Sequence, residues 1–316
     1  MKSIIFMGTP QFAAPILTSL VQDANYDVVA VVTQPDRRTG RKHKMTMSPV
    51  KQVAVENNIP VFQPEKISGS DEMEILINMH ADLIVTAAFG QFLPMKLINS
   101  VKIAAVNVHG SLLPKYRGGA PVQYAIMNGD HETGVTLIYM VKKMDAGEML
   151  AQRKLAIEPT DDVGTMFEKL SILGRNLLLE TLPKLIAGEI KSVPQNEEDV
   201  TFSPNIKPEE EKVDFSKSAK LVDAKVRGLR PFPVSYVILN GVRTKLWQVT
   251  PLTQTTDLLP GQVVQKTKHE LLIATGENGV VSLDRVQPAG KPQMDITDYL
   301  NGSQEAFYEG EQVIKL

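Results

Sequence analysis

The chain has 316 residues, 43% hydrophobic and 22% charged, with a net charge of −2. That length predicts two domains, and that composition excludes wholesale disorder and a surface coated in one sign of charge. With no cysteine, disulfides, iron–sulfur clusters, thiolate metal sites and a cysteine nucleophile are all excluded.

The apolar run Ser3–Met7, ended by Gly8-Thr9-Pro10, is too short for a signal peptide or a membrane span and reads as a first β-strand. No long charge-free apolar segment follows, so a cytoplasmic protein with no membrane association is expected. Next comes a helical stretch with Phe12, Ile16, Leu17 and Leu20 on one face. Tyr26–Val32 is nearly all apolar, as a strand buried on both faces should be. Ser48-Pro49 and Ser70-Asp71-Glu72 are helix starts: a hydroxyl cap, followed by proline or by anions at the positive end of the helix dipole. Pro60–Phe62, Asp82–Thr86 and Ile103–Asn107 read as further strands. Strands alternating with helices predict a Rossmann-like, doubly wound, mostly parallel α/β sheet. The runs Val135–Val141 and Leu150–Ile157 precede a long helix over about 162–187.

Residues 188–211 change texture, with three prolines and seven acids against two lysines, and read as a linker. After it come one helix, about Ser218–Gly228, and short β-like runs punctuated by Asn240-Gly241, Pro260-Gly261 and Glu277-Asn278-Gly279. Asn-Gly between apolar runs is a strong hairpin signal, so a small antiparallel barrel is expected there. The predicted organisation is a domain over 1–187, a linker over 188–211 and a second domain over 212–316.

An α/β first half invites a nucleotide site, but neither G-x-G-x-x-G nor the P-loop is present, so no nicotinamide is expected. His131-Glu132 opens like a zincin motif, yet the second histidine position holds Val135, and no metal is expected.

The informative segment is Asn107-Val108-His109-Gly110-Ser111-Leu112-Leu113-Pro114. Alternation along a strand turns Asn107, His109 and Ser111 the same way. They lie where an apolar strand runs out, the end at which open α/β sheets bind ligands. An amide, an imidazole and a hydroxyl there suit acyl transfer; the alternative is a polar strand end that satisfies backbone groups. Asp145, in M-D-A-G-E, is either a turn residue or a partner for the imidazole. The loop Gln34–Lys44 carries Arg37, Arg38, Arg41, Lys42 and Lys44 against Asp36 alone, and is either a solvated loop or an arm for phosphates. Lys217, Lys220, Lys225, Arg227 and Arg230 form a second basic set, and two such segments in a net-acidic chain point to a polyanion such as RNA.

The strings N-V-H-G-S-L-L-P-K-Y-R-G-G-A-P and G-V-T-L-I-Y-M-V-K-K-M-D-A-G resemble the formyltransferases that use 10-formyltetrahydrofolate. The opening F-M-G-T-P-x-F-A, the loop T-Q-P-D-R-x-x-G-R and the string Q-P-A-G-K resemble the branch of that family acting on methionyl-tRNA. The resemblance covers essentially the whole chain. It implies a Rossmann-like catalytic domain and a C-terminal barrel resembling an OB fold, with a role in tRNA binding. It implies a catalytic set of Asn107, His109 and Asp145, and folate lying along Ser111, Leu112, Leu113 and Pro114. Asn107 and His109 would donate to the oxygen on which charge develops, with Asp145 holding the imidazole. Arg37, Arg38, Arg41, Lys42 and Lys44 would contact tRNA, Arg41 nearest the acceptor end. The partners implied are initiator methionyl-tRNA and folate, and a monomer is expected. Within the family the rivals are enzymes acting on an amino-sugar nucleotide or on glycinamide ribonucleotide; outside it, a noncatalytic RNA-binding module.

Overall fold

A computed structural model describes residues 1–39, 44–302 and 307–315. Its contacts divide the chain into two units. The first holds residues 1–121, 132–156 and 167–204; the second holds 122–131, 157–166 and 205–316.

The elements, in chain order, begin with β1 (Lys2–Gly8), α1 (Ala14–Gln22), β2 (Tyr26–Val32), β3 (Arg37–Thr39), β4 (Lys44–Thr46), α2 (Pro49–Glu56), β5 (Val61–Phe62) and α3 (Asp71–Asn78). They continue with β6 (Leu83–Ala87), α4 (Met95–Ile98), β7 (Ala104–His109), α5 (Pro121–Met127), β8 (Glu132–Tyr139), β9 (Met149–Ala156) and α6 (Val163–Ile186). The helix starts follow from the sequence: Ser48 Oγ accepts from Lys51 N at 3.0 Å, and Ser70 Oγ from Met73 N at 3.1 Å. Ile16, Leu17 and Leu20 of α1 are buried, as their spacing predicts.

The first unit is built on one seven-stranded sheet in the order β5-β2-β1-β6-β7-β8-β9. The pairs from β5 to β7 are parallel, and β7–β8 and β8–β9 are antiparallel. This is the mostly parallel α/β sheet expected, extended by an antiparallel edge. The central strands are apolar and buried along their length, with Ile4, Ile5, Phe6, Met7, Leu83, Ile84 and Val85 fully covered. In a parallel sheet the loops after β2, β6 and β7 emerge at one edge, which brings the basic loop and Asn107 to the same end of the sheet. Residues 188–204, linker-like in composition, belong to the first unit by their contacts, and 205–211 to the second.

The second unit adds α7 (Ala219–Gly228), β10 (Tyr236–Leu239), β11 (Val242–Leu252), β12 (Val263–Lys266), β13 (Leu271–Ala274), β14 (Val280–Pro288), β15 (Met294–Asp295) and α8 (Ile296–Gly302). Its antiparallel sheet runs β10-β11-β14-β13-β12, with β15 on β14. The Asn240-Gly241 hairpin joins β10 to β11 with φ of 45° and 81°, the left-handed pair that this dipeptide tolerates. Near the C-terminus, Leu239 bridges Ile314 and Gln262 bridges Gln312, so one segment pairs with both edges and closes the sheet. Val222 and Val226 of α7 pack into the core beside Leu246, Leu283 and Val286.

Candidate active site

Asn107 and His109 stand at the C-terminal end of β7. Asn107 pairs across the sheet with Thr86 of β6 and Ile138 of β8. Thr86 Oγ1 donates to Asn107 Oδ1 at 2.7 Å. With its oxygen committed, the amide turns Nδ2 toward Asp145 Oδ1, 3.4 Å away. Nδ2 carries a second hydrogen, and the residue is only partly covered. His109 is 6% exposed, hydrogen-bonded at one ring nitrogen and facing a carboxylate with the other. Nδ1 lies 3.6 Å from Asp145 Oδ1, and Nε2 lies 2.9 Å from the Tyr116 carbonyl. One carboxylate oxygen thus faces both the amide and the imidazole.

Asp145 reaches this position because the chain between β8 and β9 doubles back. Gly147 is packed so closely on Tyr139 that a Cβ would lie 1.8 Å from the Tyr139 carbonyl oxygen. Asp145 sits at φ 50°, a left-handed conformation disfavoured for a residue with a Cβ. Its second oxygen accepts from Gly118 N at 2.9 Å. The Asn–His–Asp set expected from the motif strings is therefore brought together, although Asp145 lies 36 positions beyond His109.

β7 ends at His109, so the alternation that aligned Asn107 with His109 stops before Ser111. Ser111 is fully buried, and its hydroxyl donates to Lys115 O at 2.7 Å. Leu113 is buried as well, while Leu112 and Pro114 are half-buried. Thr136 locks this loop: its Oγ1 donates to Ser111 O at 2.7 Å and accepts from Leu113 N at 3.1 Å. Gln152 Nε2 adds bonds to Leu113 O and Thr136 Oγ1, each at 2.9 Å. The loop is thus braced against Thr136, the residue of β8 opposite His109.

Of the basic loop, Arg37 and Arg38 are exposed on β3, which pairs with β4, the strand that begins at Lys44. Arg41 and Lys42 lie outside the described residues. Asp36, the one acid of this loop, is tied at 2.6 Å to Lys51 Nζ and at 2.8 Å to Gln63. The bond from Lys51, then that from Gln63, holds its carboxyl below the usual range. It is thus engaged away from Arg37 and Arg38. Among the described residues no group of three or more His, Asp or Glu is placed to hold a metal ion, and no helix is long and apolar enough to cross a membrane.

Sequence reasoning missed Thr86, the Tyr116 carbonyl, Arg117, Thr136 and Gln195. Thr86 left a signal, as the one polar side chain in the buried strand β6. Arg117 left another, as a cation in a loop that must pack. Gln195 left none: its amide donates to Asp145 O and Gly147 O, about fifty residues away.

A family model described as formyl transferase matches residues 1–182, and one described as formyl transferase, C-terminal domain, matches 205–304. The chain is 70% identical over 314 residues to a methionyl-tRNA formyltransferase of Pediococcus pentosaceus, covering 99% of this chain and 98% of that one. It is 58% identical over 313 residues to the protein of that name from Enterococcus faecalis, covering 99% and 100%. Among solved structures, a sugar 3N-formyl transferase studied with 5-N-formyl-THF matches with a TM-score of 0.67 at 18% identity, over 92% of this chain and 99% of that one. HypX from Aquifex aeolicus matches with a TM-score of 0.64 at 18% identity, over the whole chain and 51% of its own. These last two likenesses concern the fold alone. The matches along the whole length place the chain in the formyltransferase family, among the methionyl-tRNA formyltransferases.

Proposed function

We propose that this protein transfers the formyl group of 10-formyltetrahydrofolate to the α-amino group of methionyl-tRNA, the initiator form, for translation initiation. The observation that carries this reading is identity of 56–70% along the whole chain to relatives that share one name. The site's chemistry agrees. Asn107 offers an oriented N–H at the end of β7, and the loop 111–114 that follows this strand is braced by Thr136 and Gln152. Such a loop and donor fit a flat folate headgroup and its formyl oxygen.

The folate supplies the electrophilic formyl carbon, and the amine adds to it; the tetrahedral adduct then collapses, breaking the bond from the formyl carbon to the folate nitrogen, so that the amine loses a proton, the folate nitrogen gains one and tetrahydrofolate leaves. During the addition charge grows on the formyl oxygen, and a donor already aimed there lowers the barrier without reorganising. Asn107 Nδ2 is that donor, because Thr86 fixes which way the amide faces. Asp145 holds both Asn107 and His109 in register. His109 Nε2 meets the Tyr116 carbonyl, so this nitrogen reaches substrate only when that contact opens. Arg37, Arg38, Arg41, Lys42 and Lys44 lie along the loop after β2 and would neutralise acceptor-stem phosphates. The second unit would provide a further tRNA surface.

The test offers methionyl-tRNA, glycinamide ribonucleotide and an amino-sugar nucleotide as acceptors, with 10-formyltetrahydrofolate as donor. Formylation of methionyl-tRNA alone is expected. Asn107→Ala should lower kcat by roughly 10²-fold or more with folate binding retained, as for loss of a transition-state donor. Preference for either small amine, or normal turnover by the Asn107 variant, would refute the reading.

A further inference from the structure

The stretch after α6 reads as a linker, yet residues 192–203 run along both loops that carry the site. Ser192 Oγ donates to Glu148 Oε2. Val193 and Met149 exchange backbone bonds of 2.8 and 2.9 Å. Gln195 Nε2 spends both its hydrogens on the turn that holds Asp145, donating to Asp145 O at 2.7 Å and Gly147 O at 2.8 Å. Glu197 binds Lys143 at 3.0 Å.

The same stretch then grips the other loop. Tyr116 N donates to Thr201 Oγ1 at 2.9 Å, and Ser203 Oγ donates at 3.0 Å to the Tyr116 carbonyl that His109 meets. Arg117 N donates to Thr201 O, and Ser203 N to Arg117 O. Gly118 lies so close that a Cβ would sit 2.5 Å from Ser203 O. Between the two loops stands Arg117, 1% exposed. Its Nε donates to Gln195 Oε1 at 3.0 Å and its Nη2 to Glu197 Oε1 at 2.8 Å. A buried guanidinium needs such acceptors, and the strap provides them for Nε and Nη2, while Nη1 is buried without a hydrogen-bond partner among the described residues. Both residues it restrains beside the site, Tyr116 at φ 63° and Asp145 at φ 50°, are in the left-handed region.

We propose that residues 192–203 are a working part of the active site, and that Gln195 is the positioning residue which holds Asp145 against Asn107 and His109. This rests on the formyl-transfer reading above. Gln195 touches no reacting atom. It acts through two backbone carbonyls, with Arg117 setting the orientation of its amide.

Two variants separate the two ends of that side chain. Gln195→Met keeps the length and removes every hydrogen bond. Gln195→Glu keeps an acceptor for Arg117 but turns an oxygen toward the two carbonyls. If the loop contacts matter, both variants should lose at least ten-fold in kcat, while KM for tRNA and folate stays within about three-fold. Rates are read well below each variant's melting temperature. A second readout is the ring 15N signal of His109, assigned with His109→Gln, which should move in both variants. A Gln195→Glu enzyme with wild-type kcat and an unmoved signal would overturn the proposal. So would a loss confined to KM, or one that follows the melting temperature alone. If wild type fails to formylate methionyl-tRNA, the functional reading falls, and the His109 signal still decides the positioning.

Discussion

The tightest geometric demand at the site falls on Gly147, and it yields a magnitude. A Cβ at this position would lie 1.8 Å from Tyr139 O and 2.8 Å from Tyr139 C. Real Cβ–oxygen contacts are not found below about 3.0 Å, so Gly147→Ala must open this approach by about 1.2 Å. Tyr139 cannot give way easily, because it sits in β8 opposite Val106 in the ladder. The turn moves instead and carries Asp145 with it. Asp145 Oδ1 already stands 3.4 Å from Asn107 Nδ2 and 3.6 Å from His109 Nδ1. A further shift of about 1 Å takes the bond to Asn107 beyond hydrogen-bond range and weakens the longer electrostatic contact with His109, and misplacement on that scale costs ~10²-fold in rate. The fold should survive, since overpacking at one position costs about 1–3 kcal/mol. The expected result is a folded variant whose kcat for methionyl-tRNA formylation falls about a hundred-fold, with KM nearly unchanged. Steady-state kinetics beside a thermal melt measures both. A folded Gly147→Ala enzyme turning over within three-fold of wild type would show that Asp145 need not be held where it is.

Glu197 gives a pH prediction. The bond from Arg117, then that from Lys143, holds its carboxyl below the usual range. Its stabilisation is therefore fully present above the unfolded carboxyl value of about 4.3 and is lost as pH falls through the lower folded value. Glu197→Gln should melt below wild type at neutral pH, and the gap should close in acid; a gap constant with pH refutes it. A second prediction concerns the basic loop: Arg41→Lys keeps the charge but loses the planar fork. It should sharply lower kcat/KM for initiator methionyl-tRNA with folate binding intact, while Lys42→Ala mainly flattens the salt dependence of tRNA binding. Wild-type behaviour by Arg41→Lys beside a crippled Lys42→Ala would mean the loop acts through charge alone.

Much of this site could be read from the chain because its chemistry interrupts a strong pattern. Asn107 and His109 are polar residues at the end of a strand whose length and apolarity mark it as buried, and strand alternation places them together. That argument fails at Ser111 because the strand has ended and the hydroxyl is used to brace its own loop. Asp145 was legible only through its motif string. Its approach to His109 depends on Gly147 folding the chain back on Tyr139, a tertiary contact that local propensity does not encode. The antiparallel edge formed by β8 and β9 was likewise visible as strands but not in direction, since strand direction is set by how the connections cross.

The strap shows how a segment of linker-like composition, 192–203 within 188–211, can still pack against its neighbours. Proline and acid mark a segment with no side chains to bury, which is also true of a segment that packs through its backbone and a few amides. Tyr116 and Asp145, each held at positive φ, cost on the order of 1–3 kcal/mol apiece. Such conformations persist only where neighbours over-determine them. Here the determining bonds to Tyr116 come from Thr201 and Ser203, and those to the Asp145 turn from Gln195 and Gly118. Strain at the site and order in the strap are thus two sides of one arrangement. It follows that substitutions at exposed strap positions such as Glu198 should be tolerated far better than those at Gln195, Thr201 or Ser203, whatever the average composition of the segment.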